Sequence, residues 1–108
     1  MLSGFLNTPY SGSVRSVIFQ EGSEWFGAAL EFNIIESGDS PEEVSILLDN
    51  AIKGYVEAAQ KSKLSMRVLN QEIDPEYEAL WKHGDTAGKQ DGKTVYKTSS
   101  QPLAALAT

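Results

Sequence analysis

Cysteine is absent from the 108 residues, histidine occurs once, as His83, and basic residues are few. Without cysteine there is no disulfide framework, thiolate nucleophile, iron–sulfur cluster or cysteine-based zinc site, and a reducing compartment is allowed. A zinc site or histidine-centred triad would need partners for His83 that the chain scarcely has, so no metal or other cofactor is expected. No stretch approaches the roughly 18 apolar residues of a membrane span. The start, MLSGFLNTPYSGS, lacks the basic and apolar regions of a signal peptide, so the expected location is cytoplasmic. Nine Lys and Arg against fifteen Asp and Glu give a net charge of -6. That balance argues against autonomous nucleic-acid binding, which needs a clustered basic surface.

The acidic residues that are present are unevenly spread. Glu21, Glu24, Glu31, Glu36, Asp39, Glu42, Glu43, Asp49 and Glu57 are opposed in that interval only by Lys53. Lys61, Lys63 and Arg67 follow, and Glu72, Asp74, Glu76 and Glu78 restore the negative sign. Such a run is either a solvated surface that keeps a small protein soluble or the complement of a basic partner.

With 41% hydrophobic and 22% charged residues, the chain can bury one modest core. Val14 to Gln20 is rich in β-branched and aromatic residues, and Glu21-Gly22-Ser23-Glu24 carries turn chemistry before a second strand. In that strand Phe26, Ala28, Leu30 and Phe32 alternate with Trp25, Gly27, Ala29 and Glu31, and the first set is the expected core face. The first strand is apolar on both sides, Val17 and Phe19 on one and Val14 and Ile18 on the other. A second subunit or the chain's own tail is therefore expected over the other face. Asn33 to Glu36 reads as a third strand, broken at Ser37-Gly38-Asp39.

Ser40-Pro41-Glu42-Glu43 then supplies an N-cap serine, a proline whose missing N–H costs nothing at the first helical position, and a glutamate placed to complete a capping box. Val44, Leu47, Leu48, Ala51, Ile52, Tyr55 and Ala59 recur at helical spacing as the stripe that lies on the sheet. Gly54, costly inside a helix by about 1 kcal/mol, marks the expected close approach of another backbone. Asp74-Pro75-Glu76 repeats the start signal, and Tyr77, Leu80 and Trp81 give a short amphipathic helix over Pro75 to Lys82, which Gly84 can end. Residues 84–92 read as a polar loop, Thr94 to Thr98 as a late strand, and Pro102 to Leu106 as an apolar end piece with frayed last residues. The expected fold is α+β: a small antiparallel sheet of three to four strands, one long amphipathic helix packed on it in β-β-β-α-β order, and a short helix toward the C-terminus. The expected organisation is an extension over residues 1–12, the domain over 13–83, and a loop and tail over 84–108.

The segment FQEGSEWFGAALEFNIIESGDSPEEVSILLDNAIKGYVEA, Phe19 to Ala58, with Gly38-Asp39-Ser40 and Glu42-Glu43 after three strands, resembles the HicB-like antitoxin family. Where many relatives read Leu-Pro-Gly-Cys before the turn, this chain has Glu31-Phe32-Asn33-Ile34. Members often append a DNA-binding helix-turn-helix or ribbon-helix-helix. Leu64 to Thr108 shows neither, and its helix at Pro75 to Lys82 is acidic. The resemblance implies a partial ribonuclease-H-like fold without catalysis, assembled as a homodimer or larger oligomer. It would bind and neutralise a small basic HicA-type mRNA interferase.

The partner-binding residues expected on that reading are Glu21, Glu24 and Trp25, together with Asp74, Glu78 and Trp81 on the acidic helix. No catalytic residue is expected. Charge complementarity would chiefly raise the association rate. Two other classes compete. One is a homo-oligomeric regulatory or small-molecule-binding module of the same fold with no toxin partner. The other is a residual metal-dependent nuclease, for which Glu31, expected mid-sheet, would be the central carboxylate.

Overall fold

A computed structural model describes residues 7–8, 10–62, 66–83, 89–90 and 92–106. Strands β1 (Ser13–Glu21), β2 (Glu24–Ala29) and β3 (Ile34–Gly38) lead into helix α1 (Pro41–Ser62). A 3-10 turn (Met66–Leu69), helix α2 (Pro75–His83), strand β4 (Lys89–Gln90), strand β5 (Lys93–Pro102) and a short helix α3 (Leu103–Leu106) follow. The class is α+β. Four antiparallel strands in the order β3-β2-β1-β5 carry the two-residue β4 at the β5 edge. Among the described residues, no helix is long and apolar enough to cross a membrane.

The β1–β2 hairpin closes through a two-residue loop in which Gly22 takes φ +64, the conformation such loops favour at their first position. Residues 30–33 make the second turn, ending at Asn33 with φ 59, a left-handed conformation that asparagine tolerates. Asn33 and Glu31 thus belong to a turn, not to a strand. At α1, Ser40 Oγ accepts a hydrogen bond from Glu43 N at 3.1 Å, while the Glu43 carboxylate reaches back to Asp39 N at 2.9 Å. The cap serine and third-position glutamate work as a pair, with the return bond one residue earlier than in the simplest capping box.

Helix α1 lies on the face formed by Val14, Ser16 and Ile18 of β1 and Gly27 and Ala29 of β2. Its own buried line is Val44, Leu48, Ile52, Val56 and Ala59. Leu47, expected in that line, is 39% exposed, and Val56 replaces it. The close approach expected at Gly54 occurs at Gly27 instead. A Cβ there would stand 2.7 Å from Val44 Cγ1 and 3.1 Å from Leu48 Cδ2, whereas nothing lies within 4 Å of one built on Gly54.

Phe26, Ala28 and Leu30 are core residues, but they face away from α1. With Val17, Phe19 and Val95 they meet Ile73, Tyr77, Leu80 and Trp81, so α2 is the cover on the second face. Phe32 departs from that set. The turn carries it to the α1 side, where it stacks on Tyr55 at 4.8 Å. The two-sided apolar character of β1 is thereby accounted for within one chain and needs no second subunit.

Strand β5 starts beside the hairpin, at Lys93 opposite Glu21, and runs antiparallel to β1. It spans ten residues, longer than the Thr94 to Thr98 expected, and Leu103 beyond it is fully buried under α1. Asn7, within the expected N-terminal extension, is 3% exposed: its Nδ2 donates to Leu69 O at 2.9 Å and its Oδ1 accepts from Ser13 N at 2.8 Å. The expected helix stop at Gly84 and frayed residues 107–108 lie outside the described residues, as does the side chain of His83, the last residue of α2.

Candidate interaction surface

The six residues expected to meet a partner fall into two groups with different surroundings. Glu21 and Glu24 close the β1–β2 hairpin as directly opposed partners, and both are exposed. Like charges facing across a strand pair destabilise it by a few tenths to about 1 kcal/mol. Lys93, Glu21's partner on the other side, offsets part of this. Its Nζ lies 3.6 Å from Glu21 Oε2 and bonds Glu76 Oε2 at the start of α2. The Glu76 hydrogen bond holds the Lys93 ammonium above its ordinary pKa against the opposing effect of its burial. Tyr77, next to Glu76, has its hydroxyl pushed up by burial and then by the Asp74 and Glu76 charges. Glu24 forms no ion pair among the described residues.

Trp25 lies on the α1 face of the same hairpin end, half-buried. Its ring meets Tyr96 of β5 at 5.7 Å between centroids with the planes 81° apart. Tyr96 is 53% exposed, and its hydroxyl points to Glu42 Oε2 at 3.4 Å in the first turn of α1. Glu21, Glu24 and Trp25 thus share one end but not one face: the two carboxylates lie on the α2 side, and Trp25 lies on the α1 side with two residues that sequence reasoning missed, Tyr96 and Glu42. In the sequence Glu42 reads only as part of a helix start, and Tyr96 only as a strand former.

Asp74, Glu78 and Trp81 have internal duties. Asp74 caps α2, its Oδ1 accepting from Glu76 N at 2.9 Å. Arg15 sits between Glu31, Glu78 and Trp81. Its Nε donates to Glu31 Oε2 at 2.7 Å, its backbone N donates to Glu31 Oε1 at 2.8 Å, Nη1 lies 3.5 Å from Glu78 Oε2, and the guanidinium is 5.2 Å from the Trp81 ring centroid. Trp81 Nε1 also donates to Ser99 O at 3.0 Å, tying α2 to β5. The carboxylate considered for metal chemistry, Glu31, is thus the acceptor in an arginine clamp outside the strand. Among the described residues, no group of three or more His, Asp or Glu side chains is placed to share a metal.

An open cleft of about 320 Å³ lies between the 30–33 turn and the start of α2, lined by Asn33, Gln71, Glu72, Ile73, Asp74 and Pro75. Its lining is mostly polar, and Gln71 is committed: Nε2 donates to Tyr55 Oη at 2.7 Å and to Phe32 O at 3.1 Å. Comparison with protein-family models, curated proteins and solved structures gives no match.

Proposed function

We propose that the chain is a non-catalytic protein-binding module whose hairpin end engages a small basic protein, and that it acts as an antitoxin of the HicB-like kind against a HicA-type mRNA interferase. The observation that carries the reading is the exposed, opposed pair Glu21 and Glu24 at a hairpin end whose other face carries the exposed Tyr96, the half-buried Trp25 and Glu42. A hairpin selected for stability alone would not close on two facing carboxylates, and aromatic rings rimmed by acid suit a basic protein surface. The resemblance over Phe19 to Ala58 supplies the class of partner. It also brings self-association, for which Ile46 and Leu47, exposed on the outer side of α1, and Ile35, exposed on the edge strand β3, offer apolar contacts.

The test is a tagged pull-down from the native host, with a growth assay of any small basic protein recovered. A ribonuclease that arrests growth and is rescued by this chain, with rescue weakened by charge reversal at Glu21 and Glu24, is the expected result. Rescue and affinity unchanged by that reversal would refute the assignment to the hairpin end. The small-molecule reading has one observation in its favour, the cleft beside Asn33 and Asp74. A small molecule retained through purification, with no protein partner, would favour it.

A further inference from the structure

Tyr96 holds an irregular place in β5. The register with β1 steps from Ile18 opposite Lys97 to Phe19 opposite Val95, which leaves Tyr96 as an extra residue without a Cα partner. A bulge of this kind bends its strand and re-aims a side chain. Here it directs the Tyr96 ring across β1 to Trp25, so the two rings stand nearly perpendicular, with Glu42 at the tyrosine hydroxyl.

Perpendicular aromatic rings beside a carboxylate match the needs of an organic cation: ring faces attract it through their quadrupoles, and the carboxylate supplies the opposite charge. The chain already uses this chemistry internally. Arg15 lies over Trp81 and is held there by Glu31 and Glu78. At Trp25 and Tyr96 the rings and the carboxylate are in place, but among the described residues no cation lies over either ring. Lys97 is exposed and next to Tyr96 in sequence, and it forms no ion pair among the described residues. Its charge would oppose an incoming cation.

We infer that Trp25, Tyr96 and Glu42 form a socket for a lysine or arginine side chain from a basic segment of the partner protein. The inference deepens the protein-binding reading above and rests on it for the identity of the occupant. Charge selects that occupant: Glu42 stands in the socket, Glu21 and Glu24 close the same hairpin end on its other face, and the interval from Glu21 to Glu57 carries nine acidic residues against Lys53 alone.

The test is a ¹H–¹⁵N NMR titration of the intact protein with blocked tetra-arginine and tetra-lysine peptides, with a blocked tetra-serine peptide as control. The expected result is a saturable shift of the Trp25 indole and of the Tyr96 and Glu42 amides with the basic peptides only. Tyr96→Ala and Glu42→Gln should each weaken binding roughly two- to fivefold, the effect expected of one exposed cation–π or ionic contact. Unchanged amide positions elsewhere establish that each variant is folded. Shifts spread over the acidic residues with the Trp25 indole unmoved, or affinities indifferent to both variants, would overturn the socket. Peptide binding here without any toxin in the pull-down would sustain the socket and remove the antitoxin reading. A recovered toxin whose affinity ignores Tyr96→Ala would do the reverse.

Discussion

Replacing Gly27 by alanine should cost the protein more than any ordinary surface change, although alanine is the smallest side chain that could be added. The new Cβ would sit 2.7 Å from Val44 Cγ1, closer than real Cβ contacts allow, and 3.1 Å from Leu48 Cδ2. Val44 is fully buried and has one stiff torsion, so it cannot swing aside, and relief must come from displacing α1. Overpacking of this kind costs about 1–3 kcal/mol. The lower unfolded-state entropy of alanine returns about 0.4–1 kcal/mol, leaving a net loss of about 0.6–2 kcal/mol. Urea unfolding should show a lower midpoint at constant slope. In Val44→Ala the obstructing methyl is gone, so the double variant should be more stable than the sum of the two losses by about 0.5 kcal/mol or more. Gly54→Ala is the internal control. Its new methyl would have nothing within 4 Å, and the change should stabilise α1 by about 0.5–1 kcal/mol. Two glycines would then respond to the same substitution with opposite signs. A neutral or stabilising Gly27→Ala would refute the packing of α1 on the Gly27–Ala29 face of β2.

Ser40→Ala should cost about 1 kcal/mol by removing the acceptor for Glu43 N, read as a fall in the urea midpoint; no loss would mean that the cap is dispensable. Glu31→Gln should cost about 1–2 kcal/mol, since it weakens two charge-assisted bonds with Arg15 whose side-chain ends are about four-fifths buried, and an unchanged midpoint would dismiss the clamp. Lys93 and Tyr77 both bind their protons more tightly in the folded state, above ordinary values of 10.5 and 10.0. Their contribution is therefore complete below about pH 10 and lost as pH rises through the folded values, so the urea midpoint should fall as pH rises above about 10, and less steeply in Lys93→Met; a flat or rising midpoint there would contradict both assignments. Glu24→Lys should raise stability by a few tenths of a kcal/mol by placing an ammonium opposite Glu21, while weakening capture of the basic partner; a fall in stability would show that the facing carboxylates do not repel.

The parts legible in the sequence are those whose cause is local. The cap at Ser40, the tight turn at Gly22, and the Asp74-Pro75 start with Tyr77, Leu80 and Trp81 on one side of α2 all depend on neighbours within four residues, and each stands where expected. Alternation also separated the two sides of β1 correctly, and those of β2 as far as Leu30, beyond which it put Phe32 with the wrong set. What alternation could not say was which side α1 would choose. It chose the side with Gly27 and Ala29 because a helix approaches a sheet most closely over small residues, while the bulkier Phe26, Ala28 and Leu30 set went to α2. For the candidate site, Glu21, Glu24 and Trp25 were legible as an acidic, aromatic hairpin end. Tyr96 was not, since its place depends on a bulge against a strand far away in sequence, and Glu78 and Trp81 gave no sign of their engagement with Arg15.

The position of β5 also bears on how the molecule comes to be folded. Its residues pair with β1 partners about 70–90 positions earlier, so this ladder closes a long loop, and topologies dominated by such pairings fold slowly. Until it forms, one edge of β1 is an open template and the α2 cover lacks its anchor, the bond from Trp81 to Ser99. A chain that has made only its earlier pairings would be a β1–β2–β3 meander with α1 on one side and Val17, Phe19, Ala28 and Leu30 uncovered on the other. For such a protein the vulnerable interval is the time before the last pairing, and the hazard during it is association with another unfinished copy.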